Sequence, residues 1–224
     1  MSDQSFSVKK TAHTYQRRAK RYNSTVQFFN FLSSFGFDIP AWRLKAVQAL
    51  ELKPGDTVVD LGCGTGLNFP IIQEAIGPSG KIIGVDLSHA MLEKAQSLTF
   101  ESGWQNVELV CSDAAQYDFP HNIDGIVSTF ALVLVPECGR AVANGCQALC
   151  SGGRFSVLDM CWPEGWSFGW RHAFFWLRFY GVTGETLERR PWKAIWETMD
   201  ANLINITRNR FWYGMMYRIW GVRN

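Results

Sequence analysis

The sequence contains no apolar run of the roughly 18 to 20 residues that a bilayer-spanning helix requires. Its first stretch, MSDQSFSVKKTAH, is polar and has no apolar centre of the kind found in a secretory signal. We therefore expect a cytoplasmic protein. Charged side chains are also few, at 19%, whereas apolar ones make up 47%, which is usual for a globular protein with a substantial core.

Patterns typical of metal sites are missing as well. None of the six cysteines pairs with another at C-x-x-C spacing, and no histidine lies at zinc-finger distance from two of them. Several cysteines fall inside apolar segments, where a reduced thiol behaves as a small hydrophobe. We expect unpaired core thiols and no metal site.

Two common nucleotide-binding motifs are also absent from the sequence. No Gly-Lys-Ser/Thr follows the glycine cluster at 62–66, which excludes a P-loop. The dinucleotide fingerprint G-x-G-x-x-G is not matched, because the third glycine, Gly66, comes one position early and Leu67 follows it.

A nucleic-acid substrate is disfavoured. Residues 26–150 carry 6 basic against 13 acidic side chains, and TFAL, residues 129–132, offers no polar clamp for a flipped base.

The sequence does contain a regular alternation of apolar strands and helices. Strands are predicted over 57–62, 81–86, 106–113, 123–130 and 154–160, and helices over 40–51, 67–76, 88–101 and 137–150. Such apolar strands with helical crossovers indicate a parallel sheet covered on both faces. Residues 201–210 and 211–222 predict an antiparallel hairpin. The predicted fold is α/β, a doubly wound Rossmann-like sheet of seven strands, mostly parallel, with that hairpin at the C-terminus.

The first strand runs directly into DLGCGTG, residues 60–66. Glycine at Gly62, Gly64 and Gly66 permits a sharp turn into the next helix and lets a ligand lie against the backbone. The pattern Asp-x-Gly-x-Gly-x-Gly, starting at Asp60, resembles the class I methyltransferases that depend on S-adenosyl-L-methionine. The resemblance covers roughly residues 40–160 and implies that cofactor.

The resemblance also implies residues for the nucleoside part of the cofactor. Asp86, at the end of the second strand, would bind the ribose hydroxyls, although it could instead cap the following helix. Leu87 and Met91 would form an apolar wall for the adenine, or else belong to the core. Asp113 would accept from the adenine amino group and the amide of Ala114 would meet a ring nitrogen.

The methionine part is expected at the end of the fourth strand. Thr129 and Phe130 would flank it. Asp60 would either brace the glycine turn or reach the methionine ammonium group through water, and the sequence does not separate these two roles.

The N-terminal stretch TYQRRAKRYNS resembles the segment that many small-molecule methyltransferases of this class fold over the cofactor. Tyr15 and Tyr22 are seven residues apart and share one helical face, where they could hold a cationic headgroup by cation–π attraction. His172, in an aromatic helix, is the histidine best placed for an acceptor site. We expect these three residues to be catalytic, against the alternative of a solvated basic helix and a non-catalytic histidine.

The last third of the chain is rich in tryptophan, with eight of the ten between Trp162 and Trp220. Aromatic and arginine side chains together suit a membrane interface, although an aromatic stripe is also typical of a core. The segments GVTGETLERRPWKAI and YGMMYRIWG resemble bacterial N-methyltransferases of phospholipid or betaine-lipid headgroups, near the ubiquinone-methylase branch. This second resemblance implies N-methylation of a lipid amine and peripheral contact with the inner membrane surface.

We therefore expect one methyltransferase domain over 1–224. It divides into a helical lid (1–39), a cofactor-binding core (40–160) and an aromatic substrate or cap region with the terminal hairpin (161–224). Two alternatives stay open: an O- or C-methyltransferase of an aromatic, quinone-type molecule, and a cofactor-binding regulatory protein without turnover. The sequence does not predict the oligomeric state.

Overall fold

A computed structural model describes residues 38–162, 186 and 189–224. The helices of these residues are α1 (Ile39–Gln48), α2 (Phe69–Ile76), α3 (His89–Glu101), α4 (Cys138–Ala148) and α5 (Pro191–Asn202), with a short 3₁₀ turn at Leu132–Leu134. The strands are β1 (Thr57–Leu61), β2 (Lys81–Asp86), β3 (Val107–Cys111), β4 (Ile123–Thr129), β5 (Leu149–Met160), β6 (Ile204–Phe211) and β7 (Met216–Val222).

The seven strands form one sheet in the order β3-β2-β1-β4-β5-β7-β6. The first five are parallel, whereas β7 runs antiparallel to both β5 and β6. The predicted fold class is therefore confirmed. The carboxyl ends of β1, β2 and β4 lie at one edge of this sheet, which is where ligands bind in doubly wound folds.

Both faces of the sheet are covered, because successive strand residues point to opposite sides. On β1, Val59 packs into the cluster that contains α4 and α5 residues, and Val58 packs into the cluster that contains residues of α1, α2 and α3. Both valines are fully buried. This burial explains the near-continuous apolar sequence of the parallel strands.

The starts of β5 and β7 differ most from the predicted strand boundaries. β5 begins at Leu149, inside a segment predicted as helix and turn, because Gly152 and Gly153 exchange backbone hydrogen bonds with Arg223 beyond β7. β7 begins at Met216 rather than at residue 211, because residues 212–214 have φ of 47°, 56° and 77° and form the hairpin turn.

The predicted lid, including Tyr15 and Tyr22, and the aromatic helix that carries His172 lie outside the described residues. The division into lid, core and cap stays a prediction. In the part of the chain that the structure describes, no helix combines the length and apolar character that crossing a membrane requires.

Candidate functional site

The turn after β1 is held by main-chain hydrogen bonds to β2. The amides of Gly62 and Cys63 both donate to the carbonyl of Val85, at 2.8 and 3.0 Å. A Cβ atom at Gly62 would lie 2.3 Å from the Cβ of Ala131, so packing alone requires glycine there. At Gly64, whose φ is +58°, a Cβ would meet nothing within 4 Å. Gly64 therefore borders open space, as a backbone that receives a ligand should.

Asp86 closes the turn from the end of β2. Its Oδ2 accepts a hydrogen bond from the amide of Gly64 at 2.8 Å, and its Oδ1 accepts one from the amide of Ser88 at 2.8 Å. Burial raises the pKa of this carboxyl above its ordinary value, while the bonds from the Ser88 and Gly64 amides oppose the shift. Each oxygen keeps a lone pair that can accept from a hydroxyl. Asp86 thus braces the turn and the start of α3, and its ribose contact stays a prediction.

The four residues predicted for adenine follow β2 and β3. Leu87 and Ala114 are partly exposed beside the turn. Asp113 uses its Oδ1 to accept from the amide of Ala115 at 2.9 Å. Met91 is only 1% exposed, which leaves little of its side chain for a ligand to touch. The adenine contacts of all four residues remain predictions, and that of Met91 has the least surface to support it.

A buried polar network connects α1, the ends of β1 and β4, and the glycine turn. Asn68 donates from Nδ2 to Asp60 Oδ1 at 2.9 Å and to Thr129 Oγ1 at 3.0 Å. Arg43 donates from Nη1 to Asn68 Oδ1 at 3.0 Å and also to the Thr129 hydroxyl. All four residues are buried. The network holds Thr129 and Asp60, from different strands, in one rigid group.

Asp60 is the acidic member of this network. Burial raises its pKa from 3.8 to about 7, and the Asn68 hydrogen bond and the Arg43 charge only partly oppose that rise. Its Oδ2 and the hydroxyl of Thr65 are buried and have no hydrogen-bond partner among the described residues. Buried polar atoms normally have partners. Two such atoms, in the residues at the start of and within the DLGCGTG segment, fit a polar ligand such as S-adenosylmethionine, whose ammonium group could satisfy Asp60.

Phe130 marks the end of β4 at the same sheet edge. Its φ is +57°, its amide donates to Leu158 O at 2.8 Å, and its ring lies 5.3 Å from the Arg43 guanidinium. Beside it lies an apolar cluster, which we call the apolar edge. Its members are Ile39, Val133, Met160 and Met216, with Trp42, Leu134, Phe211 and Trp212 packed against them.

The sequence analysis did not identify three residues of the site. Arg43 sits on the buried side of α1 and Asn68 directly follows the glycine turn. Asp159, at the end of β5, is fully buried; its Oδ2 accepts from the amide of Val133 and its Oδ1 from that of Met160, both at 2.8 Å. A charged residue inside an apolar run was the available signal for Arg43 and Asp159.

This sheet, with a glycine turn after β1 and an acid ending β2, defines the class I methyltransferase fold. A profile of the ubiE/COQ5 methyltransferase family matches residues 4–188, and the chain belongs to this family.

Curated relatives carry quinone-related names. The chain is 37% identical over 152 residues to the demethylmenaquinone methyltransferase of Desulfitobacterium hafniense, a match covering 67% of this chain and 58% of that protein. It is 34% identical over 158 residues to the ubiquinone/menaquinone biosynthesis C-methyltransferase UbiE of Francisella tularensis, covering 69% and 61%. The chain thus spans less than two thirds of the length of these relatives.

A solved structure agrees on the fold. Geranyl diphosphate C-methyltransferase from Streptomyces coelicolor, in complex with S-adenosyl-L-homocysteine, superposes with a TM-score of 0.66 at 16% identity, covering 82% of this chain and 76% of that one. At this identity the likeness shows the fold alone.

At the level of family, the predictions of a methyltransferase and of S-adenosylmethionine as its cofactor are confirmed. The prediction of N-methylation of a lipid amine is wrong. The chain belongs to the ubiE/COQ5 methyltransferase family, its relatives are named for demethylmenaquinone or ubiquinone/menaquinone, and one relative is named a C-methyltransferase. That prediction relied on the resemblance of two short segments, GVTGETLERRPWKAI and YGMMYRIWG, which does not specify the acceptor atom.

Proposed function

We propose that this protein transfers a methyl group from S-adenosylmethionine to a ring carbon of a quinone-type aromatic molecule in its reduced, quinol form. Family membership and the names of the relatives support the acceptor class. The structural observation that carries the proposal is the apolar edge, whose aliphatic and aromatic side chains pack beside Phe130, a residue predicted to flank the methionine part of the cofactor.

The apolar edge suits a flat, uncharged acceptor better than an amine. The side chains of its members carry no charge. The Asp159 carboxylate beside Val133 and Met160 is fully buried and already accepts hydrogen bonds from the amides of both residues, so it is poorly placed to bind an ammonium group or remove its proton. The charged group that borders it through Phe130 is the Arg43 guanidinium, which repels a protonated amine. The transfer of an aromatic ring from water into such surroundings is favourable.

When bound, S-adenosylmethionine supplies an electrophilic methyl group on its sulfonium. In the overall reaction the methyl–sulfur bond breaks, an aryl carbon–methyl bond forms, and the ring loses a proton. The task of this chain is to hold the two partners in line, an effect that can contribute about 7–11 kcal/mol. Gly64 and Asp86 would hold the nucleoside, and the network of Asp60, Asn68 and Thr129 would fix the methionine end.

We further propose that Tyr15, Tyr22 and His172 act on the acceptor side, as the sequence predicts. For a carbon acceptor, His172 would serve as the base that accepts a proton from the quinol hydroxyl. The tyrosines would pack against the acceptor ring. Replacing His172 with Gln should then lower the turnover rate and leave cofactor affinity unchanged.

The test supplies methyl-labelled S-adenosylmethionine together with one acceptor at a time. The acceptors are a prenylated naphthoquinol without its ring methyl, an ethanolamine phospholipid and a simple phenol. Label on the naphthoquinol ring carbon, located by NMR, supports the proposal. Label on nitrogen or oxygen overturns it. Tight cofactor binding without turnover on any acceptor would indicate a regulatory protein instead.

A further inference from the structure

The turn between β6 and β7 places aromatic side chains where hairpins favour asparagine and glycine. Trp212 and Tyr213 both have left-handed φ angles, 47° and 56°, and Gly214 follows at 77°. Left-handed turn positions favour asparagine or glycine, because this backbone conformation is strained for other residues. Tyr213 is nonetheless 76% exposed. Neither turn formation nor core packing explains a strained and exposed tyrosine.

The turn lies at the functional edge of the sheet. Met216, the first residue of β7, pairs with Met160, the last residue of β5, so the turn projects at the carboxyl end of the parallel strands. Its base is anchored, because the ring of Phe211 lies 5.1 Å from that of Trp42 in α1. The glycine turn and Phe130 belong to the same edge. The exposed tip therefore lies at the sheet edge where we propose the methyl-transfer site.

The hairpin is strongly basic. Residues 203–224 contain four arginines and neither aspartate nor glutamate. Arg208 and Arg210 lie over the Trp196 ring, 4.6 and 4.9 Å from its centroid, and Arg208 also pairs with Asp200 of α5 at 2.9 Å.

Positive charge also lies on the other face of the hairpin. Arg210 pairs with Tyr217, so the next residue of β7, Arg218, points to the opposite side of the sheet. Arg218 lies 4.8 Å from the centroid of the Trp220 ring. The tip thus has the exposed Arg210 on one face of the hairpin and the partly buried Arg218 on the other.

We propose that the β6–β7 hairpin docks on an anionic lipid bilayer, with Tyr213 at the interface and the arginines facing lipid phosphates. Tyrosine is suited to this position because its ring is apolar and its hydroxyl stays hydrated. Arginine binds phosphate oxygens, and a basic surface is attracted to anionic lipid. The inference goes beyond the proposed function, because it holds whichever atom is methylated.

The test is co-sedimentation with vesicles that contain no methyl acceptor. One set is phosphatidylcholine alone, and in the other part of it is replaced by phosphatidylglycerol. We expect binding to the anionic vesicles, weaker binding to the neutral ones, and loss of binding as salt is raised. Each of Arg210→Gln and Arg218→Gln should weaken binding by about fivefold.

Tyr213→Asn is the decisive variant. Asparagine tolerates a left-handed backbone, so the hairpin should fold at least as stably while the interfacial ring is lost. Vesicle binding should fall, while methylation of an acceptor held in detergent stays unchanged. Phe100→Ser is the matched control, since Phe100 is 85% exposed on α3, at the opposite end of the sheet.

Several results would overturn the proposal. Vesicle binding by Tyr213→Asn as tight as that of the wild-type protein is one such result, and an equal weakening of binding by Phe100→Ser is another. Equal affinity for neutral and anionic vesicles would show that the arginines do not contribute to vesicle binding. If heparin bound with the same dependence on Tyr213, Arg210 and Arg218, the surface would be a general polyanion site rather than a bilayer dock. None of these outcomes depends on turnover, so they leave the proposed function untouched.

Discussion

The Oδ2 atom of Asp86 lies 2.8 Å from the amide nitrogen of Gly64, which joins the end of β2 to the middle of the glycine turn. The other oxygen of the same carboxylate holds the amide of Ser88, just before α3. One side chain thus fixes two loops at the carboxyl edge. Because the carboxylate is already oriented by these bonds, it can receive the vicinal hydroxyls of a ribose without further ordering.

Replacing Asp86 with Ala should weaken the binding of S-adenosylhomocysteine by about tenfold to about 100-fold, because hydrogen bonds to a charged acceptor contribute about 1.5–3 kcal/mol. Isothermal titration calorimetry measures this change. Asp118→Asn, which alters an exposed acid, is the control and should bind as the wild-type protein does. Unchanged affinity of the Asp86 variant would show that Asp86 does not bind the ribose.

Gly64→Ala separates backbone strain from ligand exclusion. A methyl group at Gly64 meets no atom within 4 Å, and the same is true at Gly152 in β5, where φ is +82°. Both alanine variants should therefore lose about 1 kcal/mol of stability from their left-handed backbone. We expect a large loss of cofactor affinity for Gly64→Ala alone. Equal affinity of the two variants would show that no ligand lies against Gly64.

Local sequence was enough to place the glycine turn and Asp86 at the same sheet edge. The turn is specified by consecutive residues, and the position of Asp86 follows from the parallel register of its strand. The start of β5 could not be predicted in this way. Gly152 and Gly153 have the local character of a turn, and their extended pairing depends on Arg223, far along the chain.

The buried network illustrates a second limit of the sequence. Arg43 lies 25 residues from Asn68 and 86 from Thr129 along the chain, so tertiary packing alone brings these side chains together. A sequence can show that an arginine lies within an apolar helix face. It does not show which partners neutralise it, and here the partners lie on two other elements.

The role of Asp60 can be tested through pH. Its pKa is about 7 in the free protein, and a bound ammonium group beside Oδ2 would lower it, so binding would release a proton. Cofactor affinity should therefore rise as the pH increases toward about 7 and level off above that value. The ammonium group itself titrates at about 7.7–8.0, so the plateau ends there and affinity should fall at higher pH.

Calorimetry in two buffers of different ionisation enthalpy counts the released protons. Asp60→Asn should abolish both the release and the rise in affinity below pH 7. If the variant keeps the wild-type pH profile with reduced stability, Asp60 braces the turn and does not meet the ammonium group.

Asp159 makes a separate prediction about folding. Burial raises its pKa from 3.8 to about 7, so the native protein binds one more proton than the unfolded chain between these values. Its contribution to stability is therefore greatest at low pH, falls by up to about 1.4 kcal/mol per pH unit through this window, and is constant above it.

Asp159→Asn removes the titrating group and sets an amide N–H against the amide of Val133 or Met160, at a cost of about 1–3 kcal/mol. Urea unfolding should show the variant to be less stable than wild type below pH 7, with a gap that narrows as the pH rises to that value. A gap that stays constant with pH would mean that Asp159 is ionised in the native protein throughout, held so by its two backbone donors.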